Sequence, residues 1–318
     1  MHMTRVVIVG GGAAGIRVAQ ALAKSLSESD NAEVIVLEAI FFFYHAVGAP
    51  RAYVDGDYIN KMFIPYDSAI PKHATKFDDK QSETTEKLKF DYLVLATGST
   101  YSVPIKPDSR DYARSATEAK LQEVRDHIEK AEKVLVVGGG AVGCEVAAEI
   151  KAKYPSKLVT IVDANKQLIS GNNLRNKFYA YLNASMEKLD VRVILGERLT
   201  ERLSGNGFEK RTLRTDKGTA IESDIQLLCG GFSPAATLAQ EAPSTRTCFS
   251  LGDMCNHPTP NMAIWAGEEA SFLAGELAAV LRKKQTGFTQ PFAGAAIEAM
   301  ILPLVHPEEF RSYRCSGE

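Results

Sequence analysis

Cysteine is scarce and scattered in this chain. The five in 318 residues (Cys144, Cys229, Cys248, Cys255 and Cys315) form no C-x-x-C pair and no zinc-like spacing. That argues against a zinc module and against a closely spaced redox dithiol. No metal site is expected, and the thiols suit buried positions in a reducing, intracellular compartment. Charge of one sign is missing as well. With 37 basic and 39 acidic residues the net charge is −2, so the chain lacks the overall electrostatic footprint of a nucleic-acid binder. Its compact basic cluster, Arg282-Lys283-Lys284, ends a predicted helix, where cations suit the macrodipole. Long apolar runs are also absent. The run Val6 to Val9 enters a glycine loop rather than a cleavage site, and Phe292 to Val305 is too short to span a bilayer and carries Glu298. That segment still suits peripheral contact with a membrane or the wall of an apolar tunnel. Residue 2 is His rather than Gly, so no N-myristoyl anchor is expected. The expectation is a cytoplasmic protein, with mitochondrial and membrane-surface association left open.

What the sequence does contain is an α/β pattern repeated once. Apolar residues at 45% and charged residues at 24% suit a soluble globular protein, and the length suits two domains of roughly 100–200 residues each. The strand Arg5 to Val9 runs into Gly10-Gly11-Gly12-Ala13-Ala14-Gly15, which opens a helix. The next strand, Glu33 to Leu37, ends at Glu38. In this Rossmann pattern Gly10 permits the tight turn, Gly12 lets backbone approach a pyrophosphate, and Gly15 lets helix and strand pack closely. The helix N-terminus, through Ala13 and Ala14, offers N–H groups to phosphate, and Glu38 is placed to accept hydrogen bonds from an adenosine ribose. The plan restarts at Lys133 to Val137, with Gly138-Gly139-Gly140-Ala141-Val142-Gly143 and then Asp163 closing the following strand. Here Gly138, Gly140 and Gly143 take the same three roles. An acidic Asp163 favours NADH because it pairs with the 2′-hydroxyl and repels a 2′-phosphate. Lys166 softens that preference, so NADPH stays open. Two nicotinamides have little reason to meet, whereas FAD with NADH makes an electron relay.

Further motifs carry a resemblance. Ala96-Thr97-Gly98 after an apolar strand, and Ser250-Leu251-Gly252-Asp253, resemble two motifs of the two-dinucleotide-binding-domain flavoproteins, the pyridine nucleotide-disulfide oxidoreductase superfamily. The resemblance implies that Ala96, Thr97 and Gly98 border the cofactor and that Asp253 binds the flavin's ribityl chain. Within that superfamily several segments resemble the apoptosis-inducing-factor-like branch that includes the ferroptosis-suppressor-type quinone reductases. They are Phe43-Tyr44-His45-Ala46-Val47-Gly48-Ala49-Pro50-Arg51-Ala52, Phe63-Ile64-Pro65-Tyr66, Ala148-Glu149-Ile150-Lys151 with Tyr154-Pro155, and Asn261-Met262-Ala263. By this resemblance Arg51 contacts FAD, and Glu145 sits near nicotinamide and flavin. The bland alternatives are a surface salt bridge for Arg51 and a dipole-stabilised first-turn carboxylate for Glu145. His45 is read either as a proton donor to a quinone or as a packed histidine beside the flavin. Tyr44 and Trp265 are read as site aromatics or as core. Cys144, at a helix N-terminus, is read as packing rather than as a reactive thiol.

The expected architecture is two Rossmann-like domains, the NAD domain inserted in the FAD domain. Residues 1–103 and 236–290 bind FAD, 104–235 bind NAD(P)H, and a reduced segment, 291–318, forms a C-terminal interface. Three places are shorter than the family pattern: Tyr66 to Phe90, Glu241 to Thr247, and the chain after Val305. They point to omitted or truncated stretches. The implied activity is transfer of a hydride from NAD(P)H to FAD and of electrons onward to a small quinone-like acceptor, with the oligomeric state left open. The alternatives are a flavin-bearing interaction protein with weak turnover, or a reductase of the ferredoxin or ascorbate-radical type.

Overall fold

The computed structural model describes residues 3–38, 40, 42–66, 74–77, 88–108, 113–170, 174–235, 247–255 and 263–282. Most of the polar stretch 68–89, residues 241–246, Asn261-Met262, Lys283-Lys284 and the 291–318 segment lie outside them. Along the chain run β1 (Thr4–Val9), α1 (Ala13–Ser25), β2 (Ala32–Leu37), α2 (Ala49–Ala52), β3 (Ala74–Phe77) and β4 (Tyr92–Leu95). Next come α3 (Arg114–Lys130), β5 (Lys133–Val137), α4 (Ala141–Lys153), β6 (Leu158–Asp163), α5 (Asn176–Lys188) and β7 (Val191–Leu195). The series ends with β8 (Arg211–Arg214), β9 (Ala220–Ser223), β10 (Ile225–Leu228), β11 (Cys248–Ser250) and α6 (Ala263–Leu281). Among the described residues no helix is long and apolar enough to cross a membrane.

These elements form two compact units. One takes the described residues of Met1–Phe43, Pro65–Thr100 and Ser233–Glu318, the other those of Tyr44–Ile64 and Tyr101–Phe232. The first unit holds an all-parallel sheet in the order β11-β4-β1-β2-β3. Strands β1, β2 and β4 are apolar on both faces because both of their faces are covered. Val6, Ile8, Val34, Val36 and Val94 pack against α1 and α6 on one side, while Val7, Ile35, Leu93 and Leu95 pack with Cys248 and Met254 on the other. Leu22 of α1 and Leu273 and Leu277 of α6 are almost fully buried in that first layer.

The second unit repeats the scheme with a parallel sheet in the order β7-β6-β5-β10 and an antiparallel pair β8-β9. Lys151, the motif lysine, ends α4 with its side chain only 4% exposed. Its ammonium donates to the carbonyls of Pro155 (2.8 Å) and Lys157 (3.1 Å), so it satisfies the turn into β6 rather than any ligand.

One segment departs from the expected division. Residues 44–64, expected with the first glycine loop, group with the second unit. The reason is local packing: α2 lies against α4, Tyr44 donates to the Pro104 carbonyl at 2.8 Å, and Arg51 pairs with Glu149 at 2.8 Å. The chain crosses between units after Thr100 and after Phe232, slightly earlier than expected.

Candidate functional site

The first glycine loop is shaped by what a side chain would strike. Gly10 has φ of 106°, and a Cβ there would lie 2.3 Å from the Ala96 carbonyl oxygen. Only glycine tolerates both. A Cβ on Gly15 would fall 1.8 Å from the Gly10 carbonyl oxygen, so β1 and α1 meet at van der Waals contact. At Gly12, by contrast, a Cβ would meet nothing within 4 Å, and no side chain caps α1. The first-turn N–H groups, including those of Ala13 and Ala14, thus stand at an open cradle of the kind that takes a pyrophosphate. Glu38, just beyond β2, accepts the Gly11 N–H with one oxygen and the Ile40 N–H (3.3 Å) with the other. These two bonds fix the orientation of the carboxylate at the loop.

Around this loop the same unit gathers the other motif residues. Ala96 contributes its carbonyl to the tight approach at Gly10. Thr97 donates its hydroxyl to the Ala235 carbonyl at 2.7 Å, and the Gly98 carbonyl accepts the Ala235 N–H at 2.9 Å. The threonine hydroxyl is therefore committed to the strand crossing, where Ser99–Thr100 pair with Ser233–Pro234. Asp253 sits in the short turn after β11 and accepts the Ser99 hydroxyl at 2.9 Å. A Cβ on Gly252 would lie 3.3 Å from that of Ala14, which puts this turn against the start of α1. Trp265, in the first turn of α6, is 37% exposed and so is not core.

The second loop reproduces the first. Gly138 has φ of 113°, a Cβ on Gly143 would lie 1.9 Å from the Gly138 carbonyl oxygen, and Gly140 is open as Gly12 is. Asp163 accepts the Gly139 N–H at 2.5 Å through one oxygen. The other oxygen accepts the Asn165 N–H (2.7 Å) and its side-chain amide (2.8 Å). Cys144 lies buried beneath this loop. Burial first, and the charges of Glu145 and Asp163 after it, push its thiol up to about 12, so the helix N-terminus does not make it reactive.

The second unit also carries an open cleft of about 390 Å³ lined by Val47, Gly48, Pro50, Arg51, Tyr58, Glu145 and Glu149. Glu145 is an exposed position of α4 and is among the residues that line the cleft. Partial burial, and then the neighbouring Glu149 charge, raise its pKa above the ordinary carboxylate value. Arg51 spends its guanidinium on Glu149, one helical turn from Glu145. His45 donates its backbone N–H to Met62 at 2.8 Å, and its Nδ1 lies 3.0 Å from where a Cβ on Gly48 would stand. Tyr44 is buried, with its hydroxyl bonded to Pro104, which is the core reading of that residue.

Four residues had been given no individual role from the sequence. Tyr66 and Glu149 lay inside matching motifs without an assigned function. Ser99, which holds Asp253, and Asn165, which holds Asp163, gave no signal beyond lying next to a motif.

A family model described as pyridine nucleotide-disulphide oxidoreductase matches residues 4–248. The chain is 32% identical over 246 residues to apoptosis-inducing factor homolog B of Dictyostelium discoideum, covering 70% of this chain and 62% of that protein. It thus spans less than two thirds of that relative's length. It is 29% identical over 318 residues to ferroptosis suppressor protein 1 of Taeniopygia guttata, covering 90% of this chain and 83% of that one. Among solved structures it resembles the sulfide:quinone oxidoreductase of Aquifex aeolicus, with a TM-score of 0.70 and 13% identity over 89% of this chain and 78% of that chain. At that identity the likeness is one of fold. With two glycine loops of one design and a family match across both units, the chain belongs to the pyridine nucleotide-disulphide oxidoreductase family.

Proposed function

We propose that this chain is an FAD-dependent NAD(P)H oxidoreductase, with NADH preferred, that passes electrons to a small quinone-type acceptor. The observation that carries the reading is the duplicated loop. Each has an open third glycine, a close-packed sixth residue, and a carboxylate fixed on the N–H of its second glycine. When bound, FAD supplies a two-electron relay between a nicotinamide and a second acceptor. The first unit's residues suit the FAD. Gly10, Gly12 and Gly15 would admit its pyrophosphate, Glu38 would accept from its ribose, and Asp253, held by Ser99, would bind its ribityl hydroxyls. In the second unit Gly138, Gly140 and Gly143 admit the nicotinamide nucleotide, and Asp163 favours a 2′-hydroxyl over a phosphate. Glu145 is the cleft carboxyl that retains a proton more readily than an ordinary glutamate. The quinone class of the acceptor rests on the resemblance of residues 43–52 and 63–66 to the ferroptosis-suppressor-type quinone reductases. The lack of a C-x-x-C pair in the sequence argues against a closely spaced redox dithiol as the acceptor's relay.

The test is a visible spectrum of the protein reconstituted with FAD, taken under anaerobic conditions before and after NADH and then after a soluble quinone. Flavin bands bleached by NADH and restored within seconds by quinone are the expected result. Bleaching with slow recovery would shift the acceptor assignment, and failure to retain FAD would remove the enzyme reading.

A further inference from the structure

Each glycine loop has its second residue held from both sides, at the N–H by a carboxylate in both loops and at the carbonyl by donors unrelated to one another. In the first, the Gly11 N–H donates to Glu38 and the Gly11 carbonyl accepts the Tyr66 hydroxyl at 2.8 Å. In the second, the Gly139 N–H donates to Asp163 and the Gly139 carbonyl accepts the Ile169 N–H at 2.8 Å. A trans peptide is planar, with its C=O and the following N–H pointing in opposite directions. Drawing the Gly11 carbonyl toward Tyr66 therefore turns the Gly12 N–H away from Tyr66, at the residue whose Cβ position is open. The same geometry turns out the N–H of Gly140.

The two donors share nothing but this outcome. Tyr66 is a buried phenol from a separate segment, 55 residues along the chain from Gly11. Burial, and then the Glu38 charge, push its pKa up, so its hydroxyl remains a donor. Ile169 delivers its N–H from a φ of 51°, a conformation that β-branched residues rarely adopt. One copy of the unit commits a buried tyrosine and the other a strained backbone to hold the same peptide. Packing alone does not require that agreement, whereas aiming an amide at a phosphate does.

We propose that Tyr66 is a positioning residue for the first nucleotide: through the Gly11 carbonyl, its hydroxyl aims the Gly12 N–H at the pyrophosphate of FAD. Ile169 fills that role at the second loop. The identity of the nucleotide rests on the function proposed above.

Tyr66→Phe removes the hydroxyl and keeps the ring. It is expected to weaken FAD binding about tenfold, the effect of roughly one lost hydrogen bond, and to shift the phosphorus-31 resonances of the bound pyrophosphate. Tyr44→Phe is the control. It deletes a buried hydroxyl bond of the same length, to Pro104, in the other unit, and is expected to leave both readouts at wild-type values. FAD held as tightly by Tyr66→Phe as by wild type, with unmoved phosphorus signals, overturns the proposal. So does an equal loss in both variants, since binding would then be following stability. A wild-type chain that binds no FAD removes this inference together with the function it rests on, which separates the two failures.

Discussion

At the scale of single residues, the NADH preference proposed for the second loop rests on how firmly Asp163 is held. Three hydrogen bonds, one from Gly139 and two from Asn165, fix both of its oxygens. A fixed carboxylate can pair with a 2′-hydroxyl but cannot swing aside for a 2′-phosphate. Asp163→Ala should therefore lower the ratio of NADH to NADPH affinity about tenfold, through one lost charge-assisted hydrogen bond and the removed repulsion. Calorimetric titration with each nucleotide reads this, and an unchanged ratio would mean that the 2′ position is recognised elsewhere. Glu145 gives a pH-dependent counterpart. Its carboxyl is raised above 4.5 in the fold, so the folded chain holds this proton more tightly than the unfolded one. That contribution to stability is complete below the unfolded value and is lost as pH rises through the raised one. Glu145→Gln does not titrate, so its stability relative to wild type should climb from about pH 4.5 upward. Urea unfolding of the flavin-free protein across that range checks the sign, and a constant difference between the two would refute it.

At the scale of elements, the sequence exposed what repeats and hid what is long-range. The strands β1, β2, β5 and β6 and both glycine turns were legible because apolar strands, glycine spacing and a terminal carboxylate are local signals. The segment 44–64 was not, since α2 has only four residues and too little periodicity to show which unit it joins. Its placement depends on α4 and on Pro104, far along the chain. Tyr66 and Ile169 stayed hidden for a similar reason, because the pinned peptide and the group that pins it belong to different elements. The turn after β6 can be tested by itself. There Leu168 is buried beneath Gly139, and Ile169 takes its left-handed conformation one residue later. Glycine at 169 keeps the N–H and relieves the backbone, whereas alanine keeps the strain and loses the side chain. Ile169→Gly should thus be more stable than Ile169→Ala by about 1 kcal/mol in urea unfolding, the usual cost of an L-residue in this region less the entropy of glycine. An alanine variant as stable as the glycine variant would show that the turn is not strained.

At the scale of the whole molecule, the chain belongs to a family named for disulphide chemistry, yet its sequence has no C-x-x-C pair. Among the described residues four cysteines are buried. Cys144 and Cys229 both have thiols pushed up to about 12 by burial, which keeps them un-ionised and poor nucleophiles near neutral pH. Cys248 packs in the layer beneath the first sheet with Cys255, inside an apolar cluster. A thiol must ionise to attack a disulfide, so Cys144 and Cys229 are poorly placed to take electrons from a flavin and return them. The electron capacity of the protein should then be that of its flavin alone. In an anaerobic titration of the reconstituted protein, about one equivalent of NADH per FAD should complete the bleaching, in line with the two electrons of a hydride. Free-thiol counts in denaturant, taken before and after reduction, should be equal. A second equivalent of NADH consumed per flavin, matched by two new thiols, would reveal a redox-active pair and return the protein to the disulphide chemistry of its family name.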